Sequence, residues 1–82
     1  MEKMLKDFQP GERGRVKRLT AEGKTRRRLF DMGVTPGAEI VLRKVAPLGD
    51  PLEVTLRGYE LTIRKEEAAS VQMEVLSSVR TR

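Results

Sequence analysis

The sequence predicts a small, mainly β domain in which about five antiparallel strands and one short helix close into a barrel. Its 82 residues are enough for one hydrophobic core but too few for a second lobe or a deep interdomain cleft. Apolar and polar side chains alternate in several short runs, most strictly in residues 52–57, and proline and glycine separate these runs. Closing so many short strands into a barrel removes the exposed edges of an open sheet.

The first half of the chain predicts one strand followed by the helix. Residues 14–19 place two apolar side chains among basic ones, which is typical of a strand with one wet face. In residues 24–32, Leu29 and Met32 lie three apart and share one face of a helix, so both are predicted to pack in the core. Gly33 then predicts the end of that helix.

A proline-glycine turn leads into the central strand. Pro36 and Gly37 stand where a type II turn needs them, since proline presets φ at the first central position and glycine accepts a positive φ at the second. Residues 39–45 are rich in β-branched and aliphatic side chains, which predicts a strand. Residues 47–51 contain two prolines and a glycine, so the strand is expected to end before them.

The second half predicts a hairpin, one helical turn and a last strand. Residues 52–57 and 61–63 both alternate between apolar and polar side chains, and the segment between them predicts a tight reversal. Residues 65–69 predict a single helical turn. Residues 71–75 alternate again and predict the final strand.

The absence of cysteine and histidine restricts the chemistry that this chain can perform. It excludes thiolate nucleophiles, disulfides, thiolate or imidazole metal ligands and the usual near-neutral general base. We therefore expect neither an enzyme nor a cofactor. Asp50, Glu53 and Glu60 could approach one another across the hairpin. Exposed oxygen ligands make a poor site for selective iron binding, so we expect solvated charges there and no metal site.

The N-terminus and the hydropathy of the chain indicate a cytoplasmic protein. No apolar run follows Lys3 and Lys6, and none approaches the roughly 18 residues that a membrane span needs. We expect an unprocessed cytoplasmic chain that is not embedded in a membrane. We also expect one domain over residues 1–75 and a basic, flexible tail over residues 76–82.

The net charge of +5 is concentrated in residues 13–28, which hold eight basic side chains and one acidic side chain. This block carries +7 and leaves −2 for the rest of the chain. Arg26, Arg27 and Arg28 are predicted in the first turns of the helix, where the positive end of the helix dipole opposes them. Two interpretations remain open. Either an acidic protein surface or a phosphate binds this basic patch, or the patch is a solvated face in which Arg27 pairs with Asp31.

The loop at residues 47–51 and two aromatic side chains are candidate contacts with a partner protein. The prolines and the glycine of the loop would hold its leucine outward at low entropic cost, and its aspartate can accept hydrogen bonds. The alternative is a turn that only joins two strands. An aromatic ring at the border of the helix and another at the hairpin end offer flat surfaces to a partner. The predicted partner-binding residues are Pro47, Leu48, Gly49, Asp50, Pro51, Phe30 and Tyr59.

Three segments taken together resemble the ferrous iron transport protein A (FeoA) family. They are residues 27–37 (RRLFDMGVTPG), 46–51 (APLGDP) and 52–59 (LEVTLRGY), and the resemblance extends over about residues 5–75. It implies an SH3-like barrel in the cytosol that assists the ferrous iron transporter FeoB, whose GTPase domain faces the same compartment. It also implies a regulatory module that binds rather than catalyses and that its partner recruits to the membrane.

A nucleic-acid-binding barrel of the SH3-like or oligonucleotide-binding type is the alternative function. The basic block and a sequence pI near 10.1 favour it. Only Phe8, Phe30 and Tyr59 are available for base stacking, and no strand interleaves basic with aromatic residues. We therefore expect no sequence-specific binding of nucleic acid.

Overall fold

The computed structural model describes residues 1–77. Residues 78–82, which form most of the predicted basic tail, lie outside the described residues. Leu76 and Ser77, also assigned to the tail from the sequence, belong to the last strand. The elements in chain order are β1 (Glu2–Met4), a 3-10 helix (Leu5–Asp7), β2 (Arg13–Leu19), α1 (Gly23–Asp31), β3 (Glu39–Val45), β4 (Leu52–Leu56), β5 (Tyr59–Ile63), α2 (Lys65–Ala68) and β6 (Val71–Ser77).

Within residues 1–77, six strands join one antiparallel sheet, in the order β1-β6-β2-β3-β4-β5. The mainly β prediction is therefore confirmed, and five of the six strands lie where the alternation of the sequence predicts them. β1 and β5 are the two edges of this sheet, and α2 packs against the 3-10 helix. Strands β2 to β6 all contribute buried side chains to one hydrophobic cluster, so the sheet curls around a single core.

The sixth strand, β1, is absent from the sequence-based prediction. It has three residues and no apolar alternation, so it carries no local strand signal. Its strand geometry comes from pairing with β6, in which Glu2 lies opposite Glu74 and Met4 opposite Gln72. Because these partners are about seventy residues apart along the chain, only the tertiary structure brings them together.

A network of polar side chains fastens β1 across the sheet. Lys17 Nζ donates a hydrogen bond of 2.6 Å to Glu2 Oε2, and Gln72 Nε2 donates one of 2.8 Å to Glu2 Oε1. The bond from Lys17 lowers the pKa of the Glu2 carboxyl below its ordinary value, and the same bond raises the pKa of Lys17. Arg18 Nε completes the network with a hydrogen bond to Gln72 Oε1.

Both predicted turns are confirmed in detail. Gly37 has φ +93°, and the Ala38 amide donates to the Thr35 carbonyl at 3.0 Å, as a type II turn requires. A two-residue loop joins β4 to β5. Its residues Arg57 and Gly58 have φ values of +52° and +83°, which is the type I′ geometry that matches the twist of paired strands. Arg57 thus holds a left-handed conformation without being glycine.

Helix α1 packs one face on the sheet and exposes the other. Leu29 is fully buried and Met32 packs against the core, as predicted from their spacing. The helix begins at Gly23, so Arg28 lies in its last turn rather than in its first turns. The prediction of an unfavourable dipole at Arg28 is therefore wrong, because the negative end of the dipole stabilises a cation there. Among residues 1–77, no ion pair joins Arg27 to Asp31.

Candidate functional site

The loop at residues 47–51 projects its leucine into solvent. Leu48 is 95% exposed, whereas Leu52 at the start of β4 is buried. Two backbone hydrogen bonds close the loop, from the Ala46 amide to the Pro51 carbonyl at 3.0 Å and from the Gly49 amide to the Ala46 carbonyl at 2.7 Å. A large apolar side chain on a closed loop is available to a partner at little conformational cost.

Asp50 ties this loop to the start of α2. Its Oδ1 atom accepts a hydrogen bond of 2.8 Å from the Lys65 amide, one of the amides that the first turn of a helix leaves without an intrahelical acceptor. The sequence predicted that Asp50 accepts hydrogen bonds, and here the donor belongs to the chain itself. Asp50 therefore positions the loop as well as contributing charge to the surface around it.

A buried carboxylate, Glu67, connects α1 with α2. Its side chain is only 7% exposed, and its Oε2 atom accepts a hydrogen bond of 2.6 Å from Arg28 Nε. Its Oε1 atom accepts one of 2.9 Å from the Arg64 amide. Glu67 therefore fixes the position of the Arg28 guanidinium and of the Arg64 backbone together. The sequence prediction missed this role, although a glutamate in the first turn of a helix is a known signal for bonding to a preceding amide.

A cavity of about 440 Å³ opens between α1, the loop and the junction of β5 with α2; we call it the central cavity. It adjoins a second depression of about 450 Å³ along the outer face of α1, which we call the α1 cavity. Arg28 borders both. The central cavity is lined by Arg28, Asp50, Pro51, Thr62 and Arg64, and the α1 cavity is lined by Lys24, Arg27, Arg28, Asp31 and Met32.

The basic side chains of the protein differ in whether a carboxylate pairs with them. On β2, Arg13 and Arg15 approach Glu39, and Lys17 binds Glu2. Around the two cavities the situation differs. In the part of the chain that the structure describes, the side chains of Lys24, Arg27 and Arg64 pair with no carboxylate. Uncompensated positive charge is thus concentrated along α1 and at the end of β5.

The two predicted aromatic contacts lie away from the central cavity. Phe30 is 39% exposed, and the Arg26 guanidinium lies over its ring. The distance from Arg26 Cζ to the Phe30 ring centroid is 4.8 Å, so Arg26 is engaged in a cation-π contact. Tyr59 is 70% exposed at the hairpin between β4 and β5. Ile63, which lies beside the loop, is four residues further along β5 than Tyr59, so the two residues are about 13 Å apart. The structure therefore brings the loop together with Arg28, and not with Tyr59.

The carboxylates considered from the sequence as metal ligands do not converge. Glu53 lies opposite Thr62 and Glu60 opposite Thr55 in the hairpin, while Asp50 binds the Lys65 amide. Within residues 1–77, no three Asp or Glu side chains are placed to hold one metal ion. None of the helices within this range is long and apolar enough to cross a membrane.

Solved structures of related proteins share this fold. The NMR structure of the FeoA-like protein from Clostridium acetobutylicum superposes with a TM-score of 0.89 and 36% sequence identity, covering 99% of this chain and 94% of that one. The zinc complex of Stenotrophomonas maltophilia FeoA, described as a prokaryotic SH3 domain protein, has a TM-score of 0.76 and 24% identity over 88% of this chain and 89% of that one. The SH3-like fold that the resemblance implied is confirmed.

Two comparisons at the level of sequence agree with the structural ones. The Fe(2+) transport protein A/Fe(2+) transporter FeoB fusion protein of Porphyromonas gingivalis is 31% identical over 74 residues, which are 90% of this chain and 9% of that protein. This chain thus spans only about a tenth of the length of that relative. The FeoA domain model matches residues 3–75, nearly the whole described chain, and this match together with the shared fold shows that the chain belongs to the FeoA domain family, which the fusion links to ferrous iron transport.

Proposed function

We propose that this domain is a non-catalytic accessory module of ferrous iron uptake that binds the cytosolic region of the transporter FeoB in the cytoplasm. The observation that carries the proposal is the fusion protein of Porphyromonas gingivalis, which joins a homologous domain to FeoB in one chain. Fusion gives two domains a high effective concentration for each other. Where the two are separate chains, a non-covalent interface has to supply the same proximity.

The chemistry of the described residues supports binding rather than catalysis. The chain has no histidine or cysteine, and the two buried carboxylates among residues 1–77 are both hydrogen-bonded. Glu12 accepts bonds from Lys3 Nζ at 2.8 Å and from the Gln9 amide at 2.6 Å, while Glu67 binds Arg28 and the Arg64 amide. A general acid or base must reach a substrate proton, and these carboxylates are occupied by structural donors.

The loop with Leu48 is the contact that we propose for the partner. Burying an exposed leucine side chain is worth roughly 1.5–3 kcal/mol, and a loop that is already closed loses little entropy when it binds. The adjoining cavities supply polar contacts around this apolar centre, an arrangement common in protein interfaces. Recruitment to the membrane would then follow from binding to the transporter.

A pull-down of this chain with the purified cytosolic region of FeoB tests the proposal, at an ionic strength of about 0.15 M. We expect retention of the FeoB region that an excess of random single-stranded RNA does not displace. Failure of the wild-type chain to retain any FeoB region would refute the proposal.

The substitution Leu48→Asp tests the loop within the same assay. Because Leu48 is almost fully exposed, we expect the melting temperature to change little while retention of the FeoB region falls strongly. Leu61→Asp, on the neighbouring strand β5 and partly buried, is the contrasting variant that should lower the melting temperature. A large fall in the melting temperature of the Leu48→Asp variant would show that Leu48 belongs to the core and would refute the loop as a partner contact.

Nucleic-acid binding has less support as a second function. Phe8 is 4% exposed and Phe30 lies under Arg26, which leaves Tyr59 as the exposed aromatic side chain without a stacked cation among the described residues. Single-stranded nucleic acid is usually bound by several aromatic rings in a basic groove. Capture of RNA by the chain in the absence of FeoB binding would favour this second function.

A further inference from the structure

We infer that the central cavity is a receptor for a carboxylate side chain, supplied by an acidic segment of the partner that also lies along the α1 cavity. The inference rests on the proposed function, because it concerns the same partner. It goes further in naming the chemistry that the partner must present and the two arginines, Arg28 and Arg64, that receive it.

Arg28 is held in place with most of its donors free. An arginine side chain has five N–H donors, and the Nε donor of Arg28 is bonded to the buried carboxylate of Glu67. The Arg28 side chain is 55% exposed, and its terminal nitrogens have no acceptor among residues 1–77. Because one edge of the guanidinium is fixed by a buried anchor, little rotamer entropy remains to be lost when the other edge binds a ligand.

Arg64 also lines the central cavity. Its backbone amide is bonded to the second oxygen of Glu67, so a single buried carboxylate sets the positions of both arginines. The Arg64 side chain is exposed and forms no ion pair in the described part of the chain. Thr62 adds a hydroxyl group to the lining. Two arginines and a threonine thus line one space with room for a carboxylate.

Asp50 lowers the net positive charge of this cavity. Asp50 lines the cavity, and its Oδ1 atom accepts a hydrogen bond from the Lys65 amide. Its negative charge therefore repels any anion that enters the cavity. A phosphate monoester carries about −1.5 to −2 charges at neutral pH, so it would meet up to twice the repulsion from Asp50 and also up to twice the attraction to the two arginines. The choice of a carboxylate therefore rests on the protein partner proposed above and on the contacts of the α1 cavity. A carboxylate still gains bidentate hydrogen bonds from an arginine.

The neighbouring α1 cavity indicates a segment of protein rather than an isolated small carboxylate. Lys24 and Arg27 line it without a carboxylate partner among the described residues, and the partly buried Met32 adds an apolar contact. Arg28 borders both cavities, so one chain can cross from one to the other. An acidic segment with an apolar residue matches this sequence of contacts in charge and in polarity.

The test compares three charge reversals by the dissociation constant for the FeoB cytosolic region, measured by biolayer interferometry with the full chain. For Arg64→Glu and Arg27→Glu we expect binding at least about tenfold weaker, because each loses a charge-assisted bond and gains a like charge. Arg43→Glu is the matched control. It makes the same change in net charge on β3, lines neither cavity, and should alter binding by less than about twofold. Melting temperatures of all three variants should stay near wild type, because these side chains are exposed.

The outcomes separate this inference from the proposed function. If the wild-type chain binds the FeoB region and Arg64→Glu weakens that binding no more than Arg43→Glu does, the carboxylate receptor is overturned and the proposed function stays intact. No binding by the wild-type chain would refute both. Competition supplies a further criterion: a hexaglutamate peptide should displace the FeoB region, and stronger displacement by inorganic phosphate or by single-stranded RNA would overturn the inference in favour of a phosphate ligand.

Discussion

At Gly14, in the middle of the sheet, the structure predicts that a substitution by alanine destabilises the domain, against the usual expectation for a glycine in a strand. A Cβ atom added at Gly14 would lie 2.7 Å from the backbone carbonyl oxygen of Glu74 and 2.7 Å from Cζ of Phe8. Replacing glycine by alanine within a strand normally stabilises a protein by about 0.5–1 kcal/mol, because the unfolded chain has less conformational freedom. At Gly14 that gain competes with a steric clash.

The clash is expected to be the larger effect. Gly14 is paired with Val75 in the ladder between β2 and β6, so the Glu74 carbonyl cannot move without disturbing the sheet. The Phe8 ring is 4% exposed and belongs to the core cluster, so it has little space into which it can retreat. Overpacking of this kind costs about 1–3 kcal/mol. After subtraction of the entropic gain, Gly14→Ala should destabilise the domain by about 1–2 kcal/mol.

Thermal and urea unfolding followed by circular dichroism measure this effect. For a domain of this size, a loss of about 1–2 kcal/mol lowers the melting temperature by roughly 4–16 °C. Phe8→Leu in the Gly14→Ala background should cost less than it does in wild type, because the smaller side chain relieves part of the clash. A Gly14→Ala variant that is more stable than wild type would refute the close approach of Phe8 and Glu74 to Gly14.

Three further predictions follow from particular contacts. Arg57→Asn should stabilise the domain by about 0.5–1 kcal/mol in urea unfolding, because asparagine adopts the left-handed conformation more readily than arginine. Arg57→Val should be destabilising. Equal stability of these two variants would contradict the type I′ geometry. Glu67→Gln should destabilise by about 1–2 kcal/mol, and this loss should shrink in an Arg28→Gln background; a double-mutant cycle with no coupling would contradict the Glu67–Arg28 bond. The lowered pKa of Glu2 means that its bond with Lys17 stabilises the fold above the ordinary carboxyl pKa of 4.5 and is lost as the pH falls through the folded-state pKa. The difference in melting temperature between wild type and Glu2→Gln should therefore be present at pH 7 and vanish at acid pH, and a difference that grows on acidification would contradict this assignment.

Much of the fold could be predicted from local sequence patterns. The alternation in β4 puts every second side chain in the core, so its two faces are already distinguished along the chain. The turn at Pro36 and Gly37 and the two-residue reversal before Tyr59 depend on backbone preferences of the residues that form them. Because these signals depend only on residues close together in the sequence, they can be recognised without knowing which strands pair.

The candidate site was only partly accessible from the sequence. The exposure of Leu48 follows from a loop rich in proline and glycine, and the structure places Arg28 beside that loop, with Arg27 in the adjoining α1 cavity. Arg64 was missed, because nothing in its neighbours along the chain shows that the end of β5 faces α1. Glu67 was missed for a similar reason, since its burial depends on Arg28, thirty-nine residues away.

The sequence by itself determined the chemistry available to this protein and most of its strands, since residue types and short-range periodicity are properties of the chain alone. It also placed an excess of positive charge in one block. Only the tertiary structure decided which of those charges are neutralised. Pairing across the sheet compensates Arg13, Arg15 and Lys17 of β2 through Glu2 and Glu39. Lys24 and Arg27 of α1 instead line an open cavity without a carboxylate partner among residues 1–77. The physical reason is that an ion pair depends on distance in space, and strand order sets that distance between residues far apart in sequence.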